Sequence, residues 1–205
     1  MLLLQSDVAD LRSIVVDRLE SLYEEQSAIL FVYIDYKDPA TQSVSTIFAN
    51  LLKQLLQRLE QTGLPPDIHQ SLDKFQSNIR VHHMDVTEYI QLILSASKYF
   101  LSVYLVIDAL DECHNSAFRR NLLTAINQIR DGTNNLKILI SSRPHISLEN
   151  SFPSTEILEI RASASDLEKY ARAKLETYSH ISETLKTKIL TDLLSKTDGT
   201  YSRIR

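Results

Sequence analysis

Glycine is scarce in this chain. Only Gly63, Gly132 and Gly199 occur among its 205 residues. Loops that wrap phosphates in backbone N–H groups are built from glycine and carry a lysine. None of the three glycines is followed by lysine, so the sequence holds no GxxxxGK[ST] loop. A GxGxxG dinucleotide fingerprint and a GxSxG nucleophile elbow are equally absent. The single cysteine, Cys113, excludes an internal disulfide and fits a reducing compartment. No apolar run reaches membrane-spanning length. The opening Met1–Leu4 is apolar but lacks the basic lead and the length of a signal peptide. Lys and Arg number 22 against 26 Asp and Glu, a net charge of −4, so no global basic field gathers nucleic acid or anionic lipid. The expectation is a cytoplasmic chain with neither a membrane nor a nucleic-acid partner.

What is present is an alternation of helical and strand patterns. Val8, Leu11, Val15, Leu19 and Leu22 recur at helical spacing and predict an amphipathic helix over about 8–23. The run Ala28–Ile34 is short, apolar and rich in β-branched and aromatic residues. It predicts a strand buried on both faces, ending in Asp35. Val44, Ile47, Phe48, Leu51, Leu52, Leu55, Leu56 and Leu59 follow the i, i+3, i+4 rule and give the clearest helix. Gly63-Leu64-Pro65-Pro66 breaks it. Helices near 67–77 and 86–99 follow. A second buried strand runs Leu101–Ile107 to Asp108, and a helix near 116–130 comes after it. A third strand, Leu136–Ile140, ends in Ser141-Ser142-Arg143-Pro144. Glu156–Ile160 alternates as a fourth strand nearer an edge. This order predicts a three-layer α/β fold, a parallel sheet with helices on both faces. After Arg161 the pattern turns helical. Ser165-Asp166-Leu167-Glu168 reads as a capping box opening one helix, and a second begins near Ser182. The division expected is a core over 1–162 and the start of a helical domain over 163–205.

In open parallel sheets, ligands sit beyond the carboxyl ends of the strands. Three strands end there in polar groups: Asp35, Asp108 and Arg143. The middle tip is the most informative. Val103–Ile107 is apolar, Asp108 follows, and Asp111 and Glu112 lie three and four positions on. A strand-tip carboxylate can hold Mg²⁺ through the waters the ion retains. A following acid can orient the attacking water in phosphoryl transfer. A polar residue and an arginine at the next tip suit a terminal phosphate, because the guanidinium fork matches oxyanions. Each feature alone has an ordinary explanation: an acidic turn after a strand, or a surface arginine.

Taken in order, the segments Phe31–Asp38, Leu51–Leu56, Val106-Ile107-Asp108-Ala109-Leu110-Asp111-Glu112-Cys113 and Lys137–Pro144 resemble the NACHT class of P-loop NTPases. The likeness is greatest to those described as nephrocystin-3-like N-terminal domains of fungal repeat proteins. Ile160–Tyr170 resembles the start of that family's helical domain. The resemblance implies a signal-transducing switch that binds ATP or GTP with Mg²⁺. It implies that Asp108 is the Walker B aspartate on the metal and that Asp111 and Glu112 are the distal acids. Arg143 would be the sensor-1 arginine, both catalytic and nucleotide-contacting.

The sequence departs from that pattern in one place that matters. Arg12–Asp17 resembles the helix that follows the phosphate loop, so Gln5-Ser6-Asp7-Val8-Ala9 falls where the loop should end. Asp7 puts a negative charge where phosphates should sit. At the far end, Gly199–Arg203 stands where relatives carry glycine and bulky apolar residues. Both ends read as shortened or replaced. The expectation is that this chain alone binds no nucleotide tightly. Two readings stay open: a nucleotide switch that self-assembles or engages protein partners, and an inactive remnant serving as an interaction scaffold. A third is an unrelated doubly wound protein. His82, His83 and Asp85 match no metal-ligand spacing and read as a solvated loop. Cys113 beside His114 reads as a packed thiol rather than a nucleophile with its base.

Overall fold

A computed structural model describes residues 2–5, 18–19, 26–37, 43–61, 63–79, 84–143, 145–146, 148, 151–153, 155–159, 164–178 and 180–196. Five parallel strands form one sheet. They are β1 (Leu2–Gln5), β2 (Ser27–Tyr33), β3 (Ser102–Asp108), β4 (Leu136–Ser142) and β5 (Glu156–Glu159), in the spatial order β2-β3-β4-β1-β5. The helices are α1 (Val44–Glu60), α2 (Pro66–Ile79), α3 (Val86–Ser97), α4 (Ser116–Gly132), α5 (Ala164–Glu176) and α6 (Glu183–Lys196). The α/β class and the parallel sheet expected from the sequence are both found.

β1 was not expected. Met1–Leu4 reads as an apolar opening, yet Leu2–Gln5 pair with β4 on one side and β5 on the other, Leu4 lying opposite both Ser141 and Leu158. The expected helix over 8–23 lies largely outside the described residues, within which Arg18 and Leu19 are helical.

The core is set by the helical stripes and the central strand. Val103–Ile107 of β3 are all buried, as a strand flanked on both sides must be. β2 corrects an expectation. It is an edge strand, and Ala28, Leu30 and Val32 are buried while Ile29, Phe31 and Tyr33 are half-buried. One face packs on α1, which buries Ile47, Phe48, Leu51, Leu52, Leu55 and Leu59. α1 also closes this edge. The Gln54 side chain accepts from Phe31 N at 2.9 Å and donates to Phe31 O at 3.0 Å. Arg58 Nε donates to Ser27 O at 3.2 Å. An edge so satisfied is a poor template for a foreign strand.

α1, α3 and α4 pack together. They belong to the β2–β3 and β3–β4 connections, which advance in one direction along the sheet and therefore share a face. α3 starts from a true capping box: Asp85 accepts from Glu88 N, and the Glu88 side chain accepts from Asp85 N. The capping box expected at Ser165–Glu168 is corrected by the helix start. α5 begins at Ala164, so Ser165 lies inside its first turn. α5 and α6 pack on each other, and their buried residues Ala171 and Leu190 stand outside the main core cluster.

Candidate functional site at the strand tips

The strand order places a switch point between β4 and β1. The chain leaving β1 runs to β2 at one edge, and the chain leaving β4 runs to β5 at the other. Adjacent strands whose chains part in this way open a crevice at their carboxyl ends, where ligands of such sheets bind.

Asp108 is the last residue of β3 and is half-buried. Its carbonyl accepts from Ile34 N at 3.1 Å, which ties the tip of β3 to the end of β2. The next residue turns the chain sharply. Ala109 adopts φ 58°, ψ 46°, the one non-glycine positive φ among the described residues. A left-handed alanine costs about 1–2 kcal/mol and persists only where its surroundings hold it. Two supports are visible. Ser141 Oγ accepts from Ala109 N at 2.9 Å. Leu110 is fully buried beneath the turn and anchors it.

A single turn of 3-10 helix, Leu110–Glu112, then fans its two acids outward. Asp111 faces β4: its carboxylate accepts from Arg143 Nε at 3.1 Å and from Arg143 N at 3.2 Å. The Asp111 side chain is only 10% exposed and that of Arg143 is 47% exposed, so the acid is the fixed partner and the arginine the solvent-facing one. Glu112 faces the other way, its Oε2 accepting from Tyr36 N at 3.4 Å. Asp108 itself accepts a short hydrogen bond from Ser141 Oγ. One turn thus joins the tips of three neighbouring strands.

Asp108, Asp111, Glu112 and Arg143 are therefore gathered at one sheet edge. Asp35 lies two residues past the end of β2. It is exposed, and its carboxylate accepts from Lys37 N at 2.9 Å within its own turn. Ser141 is the residue whose part the sequence did not single out. The register gives it: Ile107 lies opposite Ile140, so the next residues along, Asp108 and Ser141, are neighbours. That register depends on β4 extending through Ser142, two residues beyond the expected end at Ile140.

Cys113 is buried, and loss of hydration pushes its thiol up to about 11. A thiol so protonated is a poor nucleophile at neutral pH. His114 is exposed and stacks on Phe118 with ring centroids 4.6 Å apart. Both observations fit the packed-thiol reading. Asp85 is the cap of α3, and His82 and His83 lie outside the described residues. Among the described residues no group of three or more His, Cys, Asp or Glu could hold a metal. A zinc-type cage is thereby absent from them. Mg²⁺ asks for less, taking one or two carboxylates and completing its shell with water and phosphate oxygens. Asp108, half-buried and oriented by a hydroxyl, fits that requirement. No described helix is long and apolar enough to cross a membrane.

Solved structures share this fold. A Walker-type ATPase of Pyrococcus abyssi matches with a TM-score of 0.51 and 13% identity over 98% of this chain and 59% of that one. The Aeropyrum pernix ORC1 protein, solved in complex with DNA, matches with a TM-score of 0.51 and 11% identity over 86% of this chain and 43% of that one. The present chain thus spans little more than half of the first and less than half of the second. At these identities the likeness is one of fold, that of the P-loop ATPases. No curated protein matches the sequence. A family model does: residues 11–143, which take in β2 to β4 and every residue of the acidic turn and Arg143, match "Nephrocystin 3, N-terminal", and the chain belongs to that family.

Proposed function

We propose that the array at the strand tips is the metal- and phosphate-facing half of a nucleotide site in a NACHT-type signalling NTPase. The observation that supports it is the single turn after Asp108, which meets Ser141, Arg143 and Tyr36 at one sheet edge. In this reading Asp108 holds Mg²⁺ through its waters. Arg143 faces the terminal phosphate of ATP or GTP. Glu112, less firmly held than Asp111, is the acid placed to orient a water. Asp111 is a positioning residue, because its carboxylate is committed to Arg143. Bound Mg²⁺ would supply charge neutralisation at the phosphates. Residues 163–205, with α5 and α6, begin the helical domain that a conformational switch moves against residues 1–162.

A second reading is favoured by a specific feature. The phosphate cradle of such a fold follows β1, whose last residue, Gln5, lies opposite Ser142. The next residues are Ser6-Asp7-Val8-Ala9-Asp10, with two carboxylates and neither glycine nor lysine. Missing a charge-assisted lysine contact and a backbone cradle removes several kcal/mol of phosphate binding. This supports a scaffold or self-assembly role for the chain as it stands, with nucleotide held weakly.

Titration with fluorescent ATP and GTP analogues in the presence of Mg²⁺ separates the two. The expected midpoint lies above about 0.1 mM, a free energy weaker than roughly −5.5 kcal/mol. Low-micromolar binding abolished by Asp108→Ala would overturn the scaffold reading. Low-micromolar binding indifferent to Asp108→Ala would overturn the assignment of the site.

A further inference from the structure

We infer that Ser141 is the positioning residue of this site. It fixes the Asp108 carboxylate for the metal and holds the left-handed turn that aims Asp111 and Glu112. The inference rests on the metal role proposed for Asp108 and extends it to a residue on the neighbouring strand.

Three observations carry it. Ser141 Oγ donates to Asp108 Oδ1 and accepts from Ala109 N at 2.9 Å, so one hydroxyl uses both of its functions on consecutive residues. Ala109 is the left-handed residue, so the hydroxyl holds the chain at the point where it turns back. Ser141 also sits in register between β3 and β1, opposite Leu4, next to the strand end from which a phosphate loop would leave. A serine donating to a carboxylate pins one oxygen and leaves the other to accept from a metal-bound water. Hydrogen-bonded partners of this kind set ligand orientation, and their loss costs about 10–100-fold in metal affinity. A methyl in place of the hydroxymethyl group would free the carboxylate to rotate and would strip the Ala109 N–H of its acceptor. The two effects have one cause, so they should appear together.

Manganese broadening of backbone amide resonances tests this on the whole chain, since a paramagnetic ion reports even weak binding. The probe is Mn²⁺ alone, and each variant's metal-free amide spectrum at Phe48 and Leu122 checks its fold. In the unaltered protein the amides of Asp108, Ala109 and Asp111 should broaden first, and Asp108→Ala should abolish this. Ser141→Ala should move the midpoint to about tenfold higher Mn²⁺ and shift the metal-free Ala109 amide proton. Ser141→Cys, nearly isosteric but a weak donor, should move both in the same direction and serves where the alanine variant folds poorly. Ser141→Thr, which keeps the hydroxyl and suits a strand, should stay within about twofold.

If Asp108→Ala abolishes broadening while Ser141→Ala and Ser141→Cys leave the midpoint unchanged, Ser141 has no positioning role and the site reading stands. If Ser141→Thr loses as much as Ser141→Ala, packing rather than the hydroxyl is responsible and the inference fails. If broadening is absent, or indifferent to Asp108→Ala, the site reading fails and takes the inference with it.

Discussion

The ion pair between Asp111 and Arg143 gives a prediction whose size depends on exposure. Asp111→Ala removes two bonds to a carboxylate whose side chain is only 10% exposed. The bond from Arg143 N is charge-assisted; its acceptor side chain is nearly buried but its donor residue is exposed, so its loss costs about 1.5–2 kcal/mol, the low end for such bonds. The bond from Arg143 Nε is discounted, because that side chain is 47% exposed and water screens it; it adds about 0.5–1 kcal/mol. The single substitution should therefore cost about 2–3 kcal/mol. Arg143→Ala keeps the backbone donor but leaves a nearly buried carboxylate with half its support, at about 1–2 kcal/mol. The double variant should cost little more than Asp111→Ala alone, a coupling of about 1 kcal/mol. Urea unfolding followed by far-UV circular dichroism measures all four proteins, since the chain has no tryptophan to report by fluorescence. Repeating the cycle in about 1 M salt should shrink the coupling, as only the exposed partner is screened. Strictly additive losses, with coupling under about 0.3 kcal/mol, would refute the claim that Asp111 acts through Arg143.

Two further expectations concern the scaffold. Gln54→Met should cost about 1–2 kcal/mol and raise light scattering on heating, because it bares the part-buried N–H and C=O of Phe31 on the β2 edge. An unchanged urea midpoint and no added scattering would show that the edge needs no such cover. Cys113 gives a pH dependence. The unfolded thiol ionises from its ordinary value of 9.0, whereas the buried thiol waits until about 11. Between those values the unfolded state binds fewer protons, so stability falls as pH rises, by up to about 2–3 kcal/mol. Cys113→Ala should flatten that part of the pH profile, and an identical slope in the variant would show that other groups cause it.

Much of this architecture could be read from periodicity. The stripe from Val44 to Leu59, the buried run ending at Asp108 and the run ending near Ser142 each contain enough residues to fix type and direction. What failed did so for physical reasons. β1 is four residues long, too short for any period to declare itself, and only its pairing with β4 and β5 makes it a strand. β2 reads as buried on both faces because Ile29, Phe31 and Tyr33 are apolar, but an edge position leaves them half-covered. Asp85–Glu88 and Ser165–Glu168 both fit the capping-box pattern, and where the helix begins decides between them. The acids and Arg143 were legible from spacing and family likeness. Ser141 was not, because its part depends on the register between two strands, which neither strand carries alone.

The same dependence explains how the site is built. Asp108, Asp111 and Glu112 lie within five consecutive residues, yet they reach three different neighbours. An ordinary right-handed or extended residue at 109 would send the chain onward and separate the acids from β4. The left-handed conformation turns it back, and the strain of about 1–2 kcal/mol is offset by the Ser141 hydroxyl and by burial of Leu110. The groups that would face metal and phosphate are consequently tied to one another through the ends of β2, β3 and β4. A nucleotide would need that unit and a cradle at the end of β1 as well. Such a cradle works through glycine and lysine, and Ser6 to Asp10 offers two carboxylates in their place. In the proposed reading, retention of nucleotide would be decided in those few residues, while the bonds that join Asp108, Asp111 and Glu112 to their neighbours form without one.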